Sequence, residues 1–145
     1  MADRLSPAER TAHMRRIRKR DTSPELLVRR IAHSLGYRFR LHRRDLPGTP
    51  DLVFPRLNKA ILVHGCFWHQ HEGCRLARQP KSRLDYWLPK FRRNIARDEI
   101  SRRELEQLGW QCLVVWECET FDTINVRETL ERFLSQAKEF NSAAR

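Results

Sequence analysis

Apolar residues recur along this chain in two patterns, a helical spacing of about four residues and short runs or alternation typical of strands. Together these patterns predict a mixture of helices and strands. Residues 6–9 and 22–25 both have the form of a capping box, with proline at the first helical position in the first box and at the second in the other. The first box predicts a helix to about residue 18 that ends in a basic run. The second predicts a helix that stops at Gly36. Its buried stripe, with a spacing of four residues, is Leu27, Ile31 and Leu35.

Shorter apolar runs predict four strands. Residues 37–42 alternate aromatic or aliphatic with basic side chains, as in a half-buried strand. Residues 51–54 and 60–64 flank a turn with proline and asparagine, which predicts a buried antiparallel hairpin. Residues 110–117 form a further apolar strand, in which Cys112 is expected to be a core residue.

Two more helices complete a predicted order of α-α-β-β-β-α-β-α. One covers residues 87–108 and closes at Gly109, and the other covers residues 125–140 with one apolar face. This order predicts an α/β domain with a mixed central sheet and helices on both sides. A length of 145 residues fits a single domain, with residues 1–22 as a basic N-terminal helical arm and residues 141–145 as a frayed tail.

The chain is strongly basic, and its charge is concentrated at one end. Lys and Arg number 29 against 18 Asp and Glu, a net charge of +11, and residues 1–44 hold 13 basic and 4 acidic side chains. Arginine suits phosphates and guanine edges, so we expect a nucleic-acid partner rather than a merely solvated surface. The expected DNA contacts are Arg15, Arg16, Arg18, Lys19, Arg20 and Lys90.

Nothing in the sequence predicts a membrane location. The apolar run of residues 60–63 has the length of a strand, and no apolar run is long enough to cross a bilayer. Residues 1–4 lead into a charged segment without the apolar core of a signal peptide. We therefore expect a cytoplasmic protein whose four cysteines are thiols or metal ligands rather than disulfides.

Residues 66–74 contain two cysteines and two histidines, which indicates a zinc site. A structural zinc ion takes four sulfur or nitrogen ligands in a tetrahedron. The predicted ligands are Cys66, His71, Cys74 and Cys118. An alternative set uses His69 in place of His71 or Cys118. In a third interpretation the cysteines are buried thiols and the histidines are surface residues.

A second group combines carboxylates and imidazoles, as metal-dependent phosphodiester hydrolysis requires. Mg²⁺ prefers oxygen ligands, and Asp51 at the tip of a buried strand is a candidate, together with the backbone carbonyl of Val63. His64 would lie nearby, and His69 could deprotonate an attacking water. Glu25 begins a helix that could turn it toward the water around the ion. Each residue also has an ordinary interpretation, as a turn residue, a sheet-edge histidine or a helix cap.

Three motifs carry a resemblance to a known family. They are Gly-Thr-Pro-Asp at residues 48–51, His-Gly-Cys-Phe-Trp-His at residues 64–69 and Val-Trp-Glu-Cys at residues 115–118. From about residue 14 to residue 118, the chain resembles the Vsr very-short-patch-repair endonucleases. The resemblance implies a restriction-endonuclease-like fold with a structural zinc. It also implies that one DNA strand is nicked 5′ to the thymine of a T:G mismatch, the product of 5-methylcytosine deamination.

The same resemblance implies a role for each matching position. Asp51 would be the central Mg²⁺ ligand and His69 the general base, with Glu25 and His64 supporting the water shell and the phosphate. Val63 stands where the best-known pattern has threonine, a change that a backbone-carbonyl ligand tolerates. The implied DNA-intercalating residues are Phe67, Trp68, Trp87 and, from the other groove, Met14.

Phe67 and Trp68 are adjacent large aromatic residues in a short polar loop. We expect one or both to be exposed and able to slip between base pairs, at a cost of a few kcal/mol per step that a mismatch reduces. In an alternative arrangement, Trp68 folds back over the zinc loop as a lid.

The resemblance also implies partners and a setting. These are double-stranded DNA with a T:G mismatch, mismatch-repair proteins, a cytosine-5 DNA methyltransferase and the bacterial nucleoid. One alternative is a restriction-type enzyme on paired DNA, which usually needs a symmetric dimer; the sequence has no obvious dimerisation helix, which favours a nicking monomer. Another is a non-catalytic zinc-containing DNA-binding module, which would leave Asp51 and His69 without a role. A thymine glycosylase would not need this metal arrangement.

Overall fold

A computed structural model of the protein describes residues 21–136. The predicted first helix, the end of the predicted last helix and the expected frayed tail lie outside this range. So do several residues to which the sequence assigns DNA contacts, namely Met14, Arg15, Arg16, Arg18, Lys19 and Arg20.

Three α-helices occupy the described part of the chain. Helix α1 is Ser23–Ser34, α2 is Leu84–Gln107 and α3 is Thr123–Ser135. The predicted start of α1 is confirmed, because the Thr22 hydroxyl accepts a hydrogen bond from the amide of Glu25. Helix α2 begins three residues before the predicted residue 87. None of these helices combines the length and the apolar character needed to traverse a bilayer.

Four strands form one sheet in the order β1-β2-β3-β4. They are Arg40–Leu41, Leu52–Phe54, Lys59–His64 and Gln111–Trp116. The pairs β1–β2 and β2–β3 are antiparallel, so the predicted hairpin is confirmed, and β3–β4 is parallel. Helix α2 connects β3 to β4, as a parallel pair requires a long crossover.

Apolar side chains fill both faces of this sheet, and helices cover each face. On one face α1 and α3 pack against a cluster that includes Leu52, Ile61 and Val115. On the opposite face α2 contributes Leu105 to a second cluster, which contains Val53, Ala60 and Leu62 and against which Cys112 packs. The predicted restriction-endonuclease-like α/β architecture is therefore confirmed.

The first strand is shorter than the predicted residues 37–42. Tyr37 and Phe39 do pack on Phe54, with ring centroids 6.4 and 5.7 Å away, but only Arg40 and Leu41 pair with β2. The chain turns immediately afterwards, because residue 42 has a φ of +46°. This turn ends the strand.

Strand β3 begins one residue earlier than predicted, at Lys59, whose side chain is almost fully buried. Its ammonium group donates hydrogen bonds to the carbonyl oxygens of Phe133 and Gln136 at the end of α3. A cation there offsets the negative end of the helix dipole and satisfies carbonyls that lack helical partners. A hydrophobic pattern cannot predict such a buried lysine, because its partner lies more than 70 residues away.

The loop before β2 touches α2 at Gly48, where a methyl group would lie 2.7 Å from the Cβ of Ser101. Gly48 also has a φ of +73°. We expect Gly48→Ala to lower stability by about 2–4 kcal/mol, through strain and overpacking. Because Asp51 follows three residues later, we also expect slower DNA nicking.

Gly36→Ala is the matched control, because Gly36 has a φ of +90° but no atom within 4 Å of an added Cβ. Urea unfolding and initial nicking rates should be compared for both variants. If both lose the same stability and activity, the contact between Gly48 and Ser101 does not position the loop.

Candidate active site and metal cluster

Asp51 lies at the end of β3, because antiparallel pairing brings the start of β2 to that point. The backbone amide of Val63 donates a hydrogen bond of 2.6 Å to Oδ2 of Asp51. Burial and, to a lesser extent, the nearby Glu25 raise the pKa of Asp51 to about 7, whereas the Val63 amide and Arg29 oppose the shift. A cation at this point would favour the ionised carboxylate, so this group fits a site for a hard metal ion.

Glu25 reaches the same place from the first turn of α1. Its side chain is 3% exposed, and its Oε2 accepts hydrogen bonds from the amide of Asp21 at 2.9 Å and from Arg29 at 3.2 Å. Its negative charge raises the pKa of Asp51, so the two carboxylates lie near each other. The structure thus brings together Asp51 and Glu25, which are 26 residues apart in the sequence.

His64 and His69 stack face to face beyond the end of β3. Their ring centroids are 4.0 Å apart and their planes differ by 6°. Nδ1 of His69 lies 2.5 Å from Oδ2 of Asp98, which is carried by α2. The sequence analysis missed Asp98, since no spacing or motif distinguishes it from the other acidic residues of that helix.

Burial lowers the pKa of His64 to about 4, with a further contribution from the charge of His69, whereas Asp98 opposes the shift. His64 is therefore neutral at physiological pH. A neutral ring beside His69 is favourable if His69 takes up a proton, because two stacked imidazolium ions would repel each other.

The carboxylate pair and the imidazole pair are held by neighbouring residues at the end of β3. Val63 holds Asp51 through its amide, and the next residue, His64, stacks on His69. The structure therefore pairs Asp51 with Glu25 and His64 with His69 at one end of the sheet. For Val63 it describes an amide contact, and the role of its carbonyl as a ligand stays a prediction.

Four potential soft-metal ligands gather beside this site. One ligand atom from each of Cys66, His71, Cys74 and Cys118 lies within 4.8 Å of all the others. Nδ1 of His71 is 3.7 Å from Sγ of Cys66 and 3.4 Å from Sγ of Cys118. Sulfur and nitrogen atoms that share a tetrahedral zinc ion are about 3.6 Å apart. The donor set and its spacing thus fit zinc.

The surroundings shift the pKa values of these thiols in different directions, and against the effect of burial, hydrogen bonds, the largest of them from the backbone of Leu76, lower the pKa of Cys74. Burial raises the pKa of Cys66 to about 12, and it also raises the pKa of Cys118. Buried thiols of this kind become thiolates when a cation is bound among them. Of the two histidines considered as ligands, His71 lies in this cluster, whereas His69 is paired with Asp98.

Trp116 connects the two groups, although the sequence analysis gave it no role. Its ring stacks on His71 at 4.0 Å and meets His64 edge-on at 5.2 Å. The rigid ring of Trp116 thus lies between the metal cluster and the stacked imidazoles, and it contacts one histidine of each group.

Three of the predicted intercalating residues, Phe67, Trp68 and Trp87, form an aromatic cluster with Phe91 of α2. Phe67 contacts Trp68, Trp87 and Phe91, with ring centroids 5.2–5.3 Å away. Phe67 and Trp68 are half-buried, so the expectation that one or both are exposed is wrong for the free protein. The reason is that α2 supplies an apolar surface. Trp68 packs on this helix against Trp87, and its carbonyl accepts a hydrogen bond from Asn94.

Lys90, a predicted DNA contact, lies over this cluster. Its ammonium group is 5.3 Å from the ring centroid of Trp68 and 5.5 Å from that of Tyr86. A cation held over aromatic rings at the surface of α2 is a suitable contact for a phosphate.

Comparison with known proteins agrees with this geometry. The family model described as "DNA mismatch endonuclease Vsr" matches residues 2–75, about half of the chain. A type II nicking enzyme V.XorIIP of Xanthomonas oryzae is 56% identical over 122 residues, which cover 84% of this chain and 89% of that protein. The DNA mismatch endonuclease Vsr of Escherichia coli is 41% identical over 118 residues, 81% of this chain and 75% of that protein.

A third relative covers nearly the whole chain. The type II nicking enzyme V.NmeAIP of Neisseria meningitidis is 36% identical over 139 residues, 96% of this chain and 99% of that protein. These matches define an endonuclease, a hydrolase of phosphodiester bonds. The chain belongs to the Vsr family of DNA mismatch endonucleases, and the resemblance inferred from its three motifs is confirmed.

Proposed function

We propose that this protein nicks one DNA strand 5′ to the thymine of a T:G mismatch, by Mg²⁺-dependent hydrolysis with His69 as the general base. The observation that carries the proposal is the position of two groups at the end of β3. There Val63 holds Asp51, whose carboxylate is influenced by Glu25, and the next residue, His64, stacks on His69.

The proton path follows from the contact between His69 and Asp98. A carboxylate accepts a hydrogen, so Nδ1 of His69 carries one and Nε2 is left as the acceptor. Nε2 takes the proton of the attacking water while the oxygen of that water bonds to phosphorus. The P–O3′ bond breaks and the 3′ oxygen takes a proton from solvent, so the products are a 5′ phosphate and a 3′ hydroxyl.

Asp51 is the proposed Mg²⁺ ligand, with the Val63 carbonyl as a second ligand and Glu25 oriented toward the surrounding water. When bound, Mg²⁺ would neutralise charge that develops on the scissile phosphate. His64 is neutral and can donate one N–H to a phosphate oxygen. The cluster of Cys66, His71, Cys74 and Cys118 is the proposed structural zinc site, with all four positions filled by protein.

DNA recognition is assigned to the aromatic cluster and to the basic residues. Phe67, Trp68 and Trp87 would move from their mutual contacts to enter the base stack, and a mismatched step is easier to open than a paired one. Met14 is the proposed wedge from the opposite groove. Phosphate contacts are proposed for Lys90 and for the basic residues 15–20.

The proposed setting is the bacterial cytoplasm, at the nucleoid. The protein would act as a single-domain monomer downstream of a cytosine-5 DNA methyltransferase, whose product generates T:G pairs on deamination. Mismatch-repair proteins are proposed as further partners. Support comes from the DNA-acting bacterial relatives and from the net charge of +11.

An assay on end-labelled duplexes tests this function. Matched duplexes and each of the single-base mismatches are incubated with the protein, with and without Mg²⁺, in several sequence contexts. We expect a single nick 5′ to the thymine of T:G and at least about 100-fold slower cleavage of matched DNA, a difference of about 2.7 kcal/mol. Equal cutting of matched DNA on both strands would instead identify a restriction-type enzyme.

A further inference from the structure

His42 contacts both carboxylates of the site, although neither the motifs nor the apolar pattern drew attention to it. We propose that His42 is a positioning residue, which holds Glu25 in the orientation needed beside Asp51. The inference rests on the proposed function of this site. It concerns how the chain prepares the carboxylate pair to bind a hard cation.

The contacts of the imidazole define this role. Nε2 of His42 is 3.1 Å from Oε2 of Glu25 and 3.8 Å from Oδ1 of Asp51. A carboxylate oxygen only accepts hydrogen bonds, so the hydrogen must be on Nε2 and point at Glu25. The contact of 3.5 Å between Nε2 and Arg29 then joins two donors and is not a hydrogen bond.

The backbone of His42 is tied to the same residue pair. Its amide donates a hydrogen bond of 3.2 Å to the carbonyl oxygen of Asp51. Its φ of +46° lies in the left-handed region, which ends β1 and turns the side chain back toward α1. This left-handed conformation costs free energy for a non-glycine residue. At His42 it allows the amide to bond to Asp51 while the side chain reaches Glu25.

Three donors converge on one oxygen of Glu25. Oε2 is contacted by the Asp21 amide, by Arg29 and by His42, at 2.9, 3.2 and 3.1 Å. Saturating one carboxylate oxygen fixes the rotation of the group and directs Oε1 away from these donors. Of the three, only His42 also reaches Asp51 through its side chain within 4 Å, so it couples the two acidic residues.

The test compares His42→Ala, which removes the donor, with His42→Gln, which retains an N–H donor on a flexible side chain. His33→Ala is the control, because His33 is an exposed histidine near the end of α1. Two quantities are measured: the Mg²⁺ concentration that half-saturates nicking of a T:G duplex, and Mg²⁺ binding to the DNA-free protein by calorimetry.

We expect His42→Ala to raise the half-saturating concentration and the Kd for Mg²⁺ by about 10-fold or more. His42→Gln should recover most of this loss, and His33→Ala should match the parent. Parental Mg²⁺ affinity in His42→Ala would overturn the inference, and so would an equal loss in His42→Gln.

If His42→Ala does not fold, His42→Met takes its place, since it fills a similar volume without a donor. A methionine variant that also fails to fold, beside a folded glutamine variant, would overturn the inference in favour of a structural role. Because calorimetry needs no DNA, it tests His42 even if the parent protein does not nick a T:G duplex. Failure of the parent protein to nick a T:G duplex would overturn the proposed function and not the role of His42.

Discussion

Asp51→Asn is expected to reduce nicking of a T:G duplex by about 10³-fold or more while leaving DNA binding intact. The amide can still accept the hydrogen bond from Val63 but is a poor ligand for a hard cation. Losing several kcal/mol of charge stabilisation at the phosphate corresponds to a loss of this size, since about 1.4 kcal/mol is tenfold. Single-turnover nicking and a gel-shift titration measure the two quantities.

Asp45→Asn is the matched control for this substitution. Asp45 is largely exposed and pairs with Arg43 in the same stretch of chain. Its replacement should change neither quantity by more than about twofold, since exposed ion pairs contribute little. If Asp51→Asn retained nicking at the parental rate, the assignment of the metal ligand would be wrong.

Asp51→Asn is also expected to stabilise the metal-free protein above pH 7. Burial raises the pKa of Asp51 to about 7, whereas in the unfolded chain it is about 3.9. Between these values the folded state holds a proton that the unfolded state lacks, so stability falls as pH rises. Asparagine removes this loss, and the gain at pH 8 should be on the order of 2 kcal/mol or more.

Urea unfolding at pH 4 and pH 8, in the presence of a chelator, checks this prediction. Parent and variant should agree at pH 4 and diverge at pH 8. Excess Mg²⁺ should stabilise the parent but not Asp51→Asn at the higher pH, because the ion favours the folded state that binds it. Equal stability of the two proteins at pH 8 would contradict the unfavourable burial of this carboxylate.

The second large effect is expected at the cysteine cluster. Cys118→Ala removes one of four ligand atoms that lie within 4.8 Å of one another. Structural zinc contributes on the order of 10 kcal/mol to folding, so we expect loss of bound zinc and a fall in Tm of at least about 10 °C. Elemental analysis of the purified protein and thermal unfolding measure these effects.

Cys112→Ala provides the comparison, because Cys112 packs against the apolar core below α2 and lies outside the cluster. It should keep one zinc per chain and lose about 1 kcal/mol of stability, as for a small cavity. Nicking should be affected by Cys118→Ala as well, since Trp116 links the cluster to His64. Retention of full zinc content by Cys118→Ala would exclude this ligand set.

Much of the architecture could be predicted from the sequence, because its signals are local. The capping box at residues 22–25 and the apolar alternation around residues 51–64 depend on neighbours within a few residues. The order of elements was enough to predict a mixed sheet with helices on both sides. The density of cysteine and histidine in residues 66–74 likewise predicts the metal cluster from the sequence alone.

Contacts between distant parts of the chain could not be predicted in the same way. In the sequence, Asp98 is an ordinary acidic residue of a long helix, and His42 is a basic residue at a strand end. Packing places Asp98 beside His69 and His42 beside Glu25. The burial of Lys59 depends on the far end of α3. In the same way, α2 half-buries Phe67 and Trp68, which local polarity predicted to be exposed.

The sequence by itself determined the elements, the class of fold and the main candidate residues, because hydrophobic period, capping and residue type are short-range properties of the chain. Only the tertiary structure decided which histidine faces the thiols and which faces a carboxylate, and what charge the groups carry. Burial and through-space charge set those properties: they raise the pKa of Asp51 to about 7 and lower that of His64 to about 4.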